Sequence, residues 1–476
     1  CYIMKKPAII ILFFLLAFGT VNAQKVWTLE DCINHALENN IQVKQYLLRV
    51  ENAHSDVFQS KINMLPNLNG YVSHGWNWGQ AIDRFTNQFA TERVQSNNFY
   101  GSSTVTIFNG FQKVNTVRKS QYDLMATKFD TDKFLDDISL SIAMAYLQIL
   151  YAQEYVAIAE NQINITRQQV ERMKKLVTAG TLAQGDLLTI EAQLAAEDLQ
   201  GVEAQNNLDL AFLTLVQMLD LPLTDGFTIE RPVIEFYESQ TILMKPDQIF
   251  SFAMGKQPGI KSNEMRYESA MRSLAIARGA QSPNIQMVGS WGTGYSGAQK
   301  IGKDEYLETI PIGYTSDNKL VTTQVVKYGS TAIKPFADQF NDNNNRTIDF
   351  RVNVPIFNGW YTRTSINKAK IAMQNAEFEL ESSKLQLNKT IQQAWADANA
   401  SFKKYNASNK KVIATQESFK YADQRFNLGM LTSLDYNNAK KELQRAQSEM
   451  LQSKYDYVFK TKVLDFYMGL PLSIKN

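Results

Sequence analysis

The side chains that could do chemistry are few and scattered. Histidine occurs three times, at His35, His54 and His74, which argues against a histidine-based active site. The sequence holds no glycine-rich phosphate loop, no HExxH and no CxxC. Ser296, in Gly294-Tyr295-Ser296-Gly297, lacks the strand-turn-helix setting of a nucleophile elbow. Asp/Glu pairs recur mainly at helical spacing, the pattern of solvated helix faces. No Met or His cluster points to a metal, and no motif calls for a cofactor. None of these patterns marks a catalytic site, so function has to be sought in what the elements build.

Composition sets the bounds. The 476 residues could make two or three domains or one elongated one, and 44% hydrophobic with 20% charged residues is ordinary for a folded chain. Met4-Lys5-Lys6, the apolar run from Ala8 to Phe18 and the small-residue site Val21-Asn22-Ala23 read as an export signal covering 1–23. Cys1-Tyr2-Ile3 are expected to precede the true start. Cleavage after Ala23 removes two lysines and no acid, so 49 basic and 47 acidic residues become a balanced set. That balance gives no electrostatic case for nucleic acid. Cys32 is then the one cysteine left, which excludes an intrachain disulfide. Beyond the signal no run of about 18 or more apolar residues occurs, and a spanning helix is not expected.

The organising stretch runs from Ile142 to Gly180. Ile142, Ile149, Val156, Ile163, Val170 and Val177 keep a seven-residue beat, and Ala145, Ala152, Ala159, Thr166, Met173 and Gly180 follow three residues behind. All companions but Met173 are small. A large/small heptad seam describes a helix that supercoils closely against neighbours. Shifting each number by 249 finds the beat again, at Ile391, Ala398, Tyr405, Val412, Phe419 and Phe426, with Ala394, Ser401, Ser408, Thr415, Ala422 and Gly429 as companions. The spacing predicts long helices over about 110–178 and 359–427, each near 100 Å at about 1.5 Å per residue. Further helices are expected over 186–219, 435–468 and 28–64, the last ended by Pro66.

Between the helices the period changes to two. Four strands are predicted, over about 68–79, 98–108, 284–295 and 346–356. In the clearest, Ile348, Phe350, Val352, Val354 and Ile356 face one way while Thr347, Asp349, Arg351 and Asn353 face the other. Trp76, Trp78, Trp291 and Tyr295 suit an aromatic girdle at a membrane interface. Pro283 matches Pro66 at an offset of 217, whereas Ile356-Phe357-Asn358-Gly359 matches Ile107-Phe108-Asn109-Gly110 at 249. The chain therefore reads as two structural repeats, 24–245 and 246–476, the second with an inserted solvated loop over roughly 296–345. Strands of this length and alternation suit an outer-membrane barrel. Four cannot close one, because an open edge in lipid leaves backbone groups unpaired. Three copies would supply twelve.

The signal, the Pro-led strands, the paired IFNG turns, the Gly180-Thr181 and Gly429-Met430 tips and the duplication together resemble the TolC-like outer-membrane efflux proteins. The resemblance covers essentially the whole mature chain. It implies a homotrimer: a mixed α and β membrane protein whose twelve-stranded barrel continues into a coiled-coil tunnel across the periplasm. It also implies partners, namely outer-membrane lipid, a periplasmic adaptor and an inner-membrane RND or ABC transporter. The adaptor would dock at Ala179, Gly180 and Thr181 of one tip and Leu428, Gly429 and Met430 of the other. Family members narrow the tunnel with aspartates, and the matching positions here are Asp186, Asp435 and, one turn further, Asn438. The second acid is thus an amide. The basic residue that latches the tip in the best-known member is Leu431 here. A trimeric coiled-coil adhesin anchored by a barrel is the alternative, as is an enzyme seated in one.

Overall fold

A computed structural model describes residues 26–90, 93–222, 226–232, 244–470 and 472. The expected export signal lies outside the described residues. The chain divides into a helical unit, formed by residues 1–53, 124–267 and 376–476, and a sheet unit, formed by 54–123 and 268–375.

In the helical unit, α1 (Leu29–Asn39) opens on Thr28. The Thr28 hydroxyl accepts from the Asp31 N–H at 3.0 Å and the Asp31 carboxylate accepts from the Thr28 N–H at 3.2 Å, a reciprocal cap. The single helix expected over 28–64 is two. Asn40 leaves helical geometry at ψ 131°, and its side-chain oxygen accepts from Gln42 N at 2.8 Å, which caps α2 (Ile41–Ile62). α3 (Gln112–Thr178) and α4 (Gln184–Met218) follow. Ile142, Tyr146, Ile149 and Leu150 of α3 pack with Cys32, Leu215 and Leu219 in the main core. One 18-residue window of α3 is apolar enough to cross a membrane by composition alone. That window is 39% buried.

The sheet unit carries β2 (Asn69–Asn77), β5 (Val94–Phe108), β7 (Asn284–Ser296) and β10 (Asn345–Asn353) in one antiparallel sheet of order β10-β7-β5-β2. Two short pairs complete the strands, β1 (Val26–Trp27) with β6 (Thr228–Ile229) in the helical unit and β3 (Ala81–Ile82) with β4 (Phe89–Ala90) after β2 in the sheet unit. Helices α5 (Pro246–Lys256) and α6 (Pro258–Gly279) lead into β7. The expected loop over 296–345 is ordered instead. β8 (Lys300–Tyr314) and β9 (Leu320–Ile333) form a hairpin, and α7 (Phe336–Asp342) returns the chain to the sheet. β9 is rich in β-branched residues, among them Val321, Thr322, Thr323, Val325 and Val326, and Asn318 at φ 60° completes the Thr315–Lys319 turn. α8 (Tyr361–Asn427) and α9 (Ser433–Tyr467) close the fold.

Candidate functional site

Both long helices end in the same way. At the end of α3, Gly180 takes φ +70° while its N–H donates to Val177 O at 2.9 Å and the Thr181 N–H donates to Leu176 O at 3.0 Å. At the end of α8, Gly429 also takes φ +70°, with Gly429 N–H to Phe426 O at 3.0 Å and Met430 N–H to Arg425 O at 2.8 Å. This is the Schellman arrangement, which satisfies the last helical carbonyls and needs a left-handed residue that glycine supplies without a Cβ penalty. Ala179, Gly180 and Thr181 are exposed, as are Leu428, Gly429 and Met430. A Cβ built on either glycine meets nothing within 4 Å. Leu428, Met430 and Leu434 leave apolar surface at the second tip.

The acids past the tips differ in what holds them. Asp186 lies in the first turn of α4 and accepts from the Ser433 hydroxyl at 3.2 Å, so the two tips meet there. Asp435 lies in the first turn of α9. Thr432 caps that helix, accepting from Asp435 N at 3.2 Å and donating its hydroxyl to the Asp435 carboxylate at 2.8 Å. The cap does not consume the charge. Asp435 and Asn438 are one turn apart and exposed, whereas Asn437 is buried.

Behind these residues lies a polar seam that the sequence reading missed. Tyr436 stacks on Phe426 at 4.5 Å and accepts from the Gln169 amide, and burial pushes its phenol up to about 12. One turn on, the Lys440 ammonium sits 3.2 Å from the Glu197 carboxylate, the two side chains 3% and 2% exposed. Lys440 and Glu197 both bond Thr166 of α3, and the Gln193 amide donates to Glu197 at 2.7 Å. Burial holds the Lys440 ammonium below its usual range, opposed by the Glu197 charge. The heptad Ile190, Glu197, Ala204, Ala211 carried the signal, since all four are buried. Among the described residues no group of His, Cys, Asp and Glu is gathered that could hold a metal ion.

Two matched helical tips and an alternating sheet are the features a relative would share. The family model described as "Outer membrane efflux protein" matches residues 32–220 and 251–470. The chain belongs to the outer membrane efflux protein family. Membership places it in the outer membrane, with efflux as its task. Outer membrane protein TolC of Vibrio cholerae is 21% identical over 457 residues, covering 96% of this chain and 93% of the relative. Alkaline protease secretion protein AprF of Pseudomonas aeruginosa is 19% identical, covering 92% and 84%. Among solved structures, outer membrane protein VceC of Vibrio cholerae superposes with a TM-score of 0.72 at 16% identity, covering 94% of this chain and 97% of that one. The CmeC outer membrane channel of Campylobacter jejuni gives 0.73 at 16%, covering 93% and 85%. These likenesses establish the fold of the efflux family for this chain.

Proposed function

We propose that this protein is the passive, trimeric exit duct of a tripartite export system. Three chains close one twelve-stranded barrel in the outer membrane, and their helices continue as a periplasmic tunnel. Each mature chain supplies two structural repeats, 24–245 and 246–476, once the signal 1–23 is removed. The tips dock a periplasmic adaptor, which joins the duct to an RND or ABC transporter of the inner membrane. The duct carries small molecules or secreted products and catalyses nothing itself.

The observation that carries this reading is the sheet. Its outer strands, β2 and β10, are paired on one side only among the described residues, and Val72, Ile348, Phe350 and Val352 are exposed. Open edges and an apolar face are untenable in lipid unless further copies cover the edges.

The test is conductance across a planar bilayer together with the native mass in detergent. A trimer that conducts and prefers cations is expected, and a folded monomer, or a trimer without conductance as an adhesin would give, overturns the reading. The cation preference comes from a ring of three Asp435 carboxylates. Asp435→Asn keeps an acceptor for Thr432 and removes the charge, so its reversal potential is expected to move toward zero selectivity. For the tips, Gly180→Trp or Gly429→Trp is expected to leave the trimer folded, because the site is open and a left-handed non-glycine residue costs only about 1–2 kcal/mol. Export and copurification of the adaptor are expected to fall to background.

A further inference from the structure

Where each half of the chain leaves the sheet for its long helix, one backbone figure recurs. Gly110 and Phe111 stand at φ 64° and 60° between β5 and α3, and Gly359 and Trp360 at φ 62° and 63° between β10 and α8. A bulky residue seldom takes the left-handed region, and here it leaves an exposed aromatic ring at each junction. The two junctions then part. In the first, Lys113 reaches across and its ammonium donates to Asn63 O at 2.5 Å. The position matching Lys113 at an offset of 249 is Thr362, and the one matching Asn63 at 217 is Ala280. A hydroxyl cannot span what a lysine spans. A cleft of about 340 Å³ stands open instead, between Ala280 and Gln281 on one side and Ile356, Thr362 and Arg363 on the other.

The lining suits an anion that carries apolar tails. It holds no acidic residue. The Arg363 guanidinium lies 4.6 Å from the centre of the Trp360 ring and pairs with no carboxylate among the described residues. Thr362 accepts from the Asn358 amide, which leaves its own hydroxyl proton to donate. The apolar part is continuous with the sheet. Ile348, Phe350 and Val352 share one face of β10, Val354 and Ile356 continue the alternation, and Ile356 and Phe357 are 94% and 77% exposed.

We propose that this cleft binds a phospholipid of the leaflet that faces the periplasm, its phosphate on Arg363 and Thr362 and its acyl chains along Ile356 and the apolar face of β10. The inference rests on the barrel reading above and adds to it one lipid held at a defined place. A guanidinium presents a planar fork of donors matched to phosphate oxygens, and stacking on the indole pre-organises it. An indole also settles at the headgroup level of a bilayer. A free phosphate would satisfy the donors and leave Ile356 and Phe357 bare, so the lipid is the occupant that meets the whole lining.

The test is native mass spectrometry of the full-length protein, purified in detergent, stripped of lipid and titrated with dioleoylphosphatidylglycerol. One retained lipid per chain is expected. Arg363→Gln removes the charge and is expected to weaken retention by about fivefold or more. Ala280→Phe fills the cleft without removing a donor and is expected to weaken it at least as much. Lys368→Gln, an exposed cation further along α8, is expected to change nothing, and an equal loss there would reduce the binding to diffuse charge attraction and overturn the site. Dioleoylglycerol has the same chains without the phosphate, and its retention as tightly as the phospholipid overturns the phosphate contact. Displacement of the lipid by excess inorganic phosphate overturns the lipid in favour of a phosphate site. A conducting trimer that retains no lipid overturns the site and leaves the duct standing, whereas a folded, non-conducting monomer overturns both.

Discussion

Replacing Lys440 alone by methionine is expected to destabilise the helical unit by about 3–5 kcal/mol, because the Glu197 carboxylate then stays buried without its counter-ion. Glu197→Leu alone should cost a similar amount by stranding the ammonium. The double variant Lys440→Met/Glu197→Leu is expected to recover most of the loss. A buried pair returns in Coulomb attraction little more than its own desolvation, and an apolar pair of similar volume is often as stable. The other half of the chain does without the buried pair, since the position matching Lys440 is Glu191, which is half-exposed beside Lys174. The position matching Glu197 at an offset of 249 is Ala446, fully buried at 0% exposure, and the threonine matching Thr166 is Thr415. Thermal unfolding of the detergent-solubilised protein, followed by helical circular dichroism, reads all three variants, and a double variant as damaged as the sum of the singles refutes the coupling.

Why a buried ion pair sits in one half only follows from the seam. Ser433 to Asp186, Tyr436 to Gln169 and Lys440 to Glu197 lie along one face of α9. Apolar heptads tolerate a slide of one turn, since one large residue replaces another. A buried ion pair does not, because each charge would lose its partner. The pair fixes the register of α9 against α3 and α4, and with it the direction in which Asp435 and Asn438 face.

Periodicity made much of this legible before any coordinates. The beat from Ile142 to Val177 fell on a buried or half-buried seam of α3, and the glycines at its end and at the end of α8 carried the helix-ending geometry. What failed did so where local chemistry overrides periodicity. The apolar pattern runs straight through Asn40, yet an asparagine whose side chain caps the following amides divides α1 from α2. In the insertion over 296–345 the run Asn341 to Asn345 reads as a solvated loop, whereas Tyr306, Ile310, Val321 and Val325 have the strand composition that forms β8 and β9. Lys440 and Glu197 belong to no motif that marks them as buried. The correct warning was position: Glu197 keeps the beat of Ile190 and Ala204, and a charge on the beat is a buried charge.

Phe350→Arg is expected to be the most damaging single change in the sheet unit. Phe350 is 66% exposed in the single chain, and on alternation it shares a face with Ile348 and Val352. In the proposed barrel that face meets hydrocarbon. An arginine there costs about 2–4 kcal/mol near the bilayer midplane and about 0–1 kcal/mol at the interfaces. Each trimer carries three copies, so a midplane position multiplies to roughly 6–12 kcal/mol per assembly. The neighbouring residue supplies the control, since Arg351 already stands in β10 with its side chain on the opposite face. Asp349→Arg, on that polar face, is therefore expected to change assembly little. Urea titration of refolding into lipid vesicles measures both. Should Phe350→Arg assemble like the wild type while Asp349→Arg fails, the apolar face points away from lipid and the sheet cannot be part of a membrane barrel.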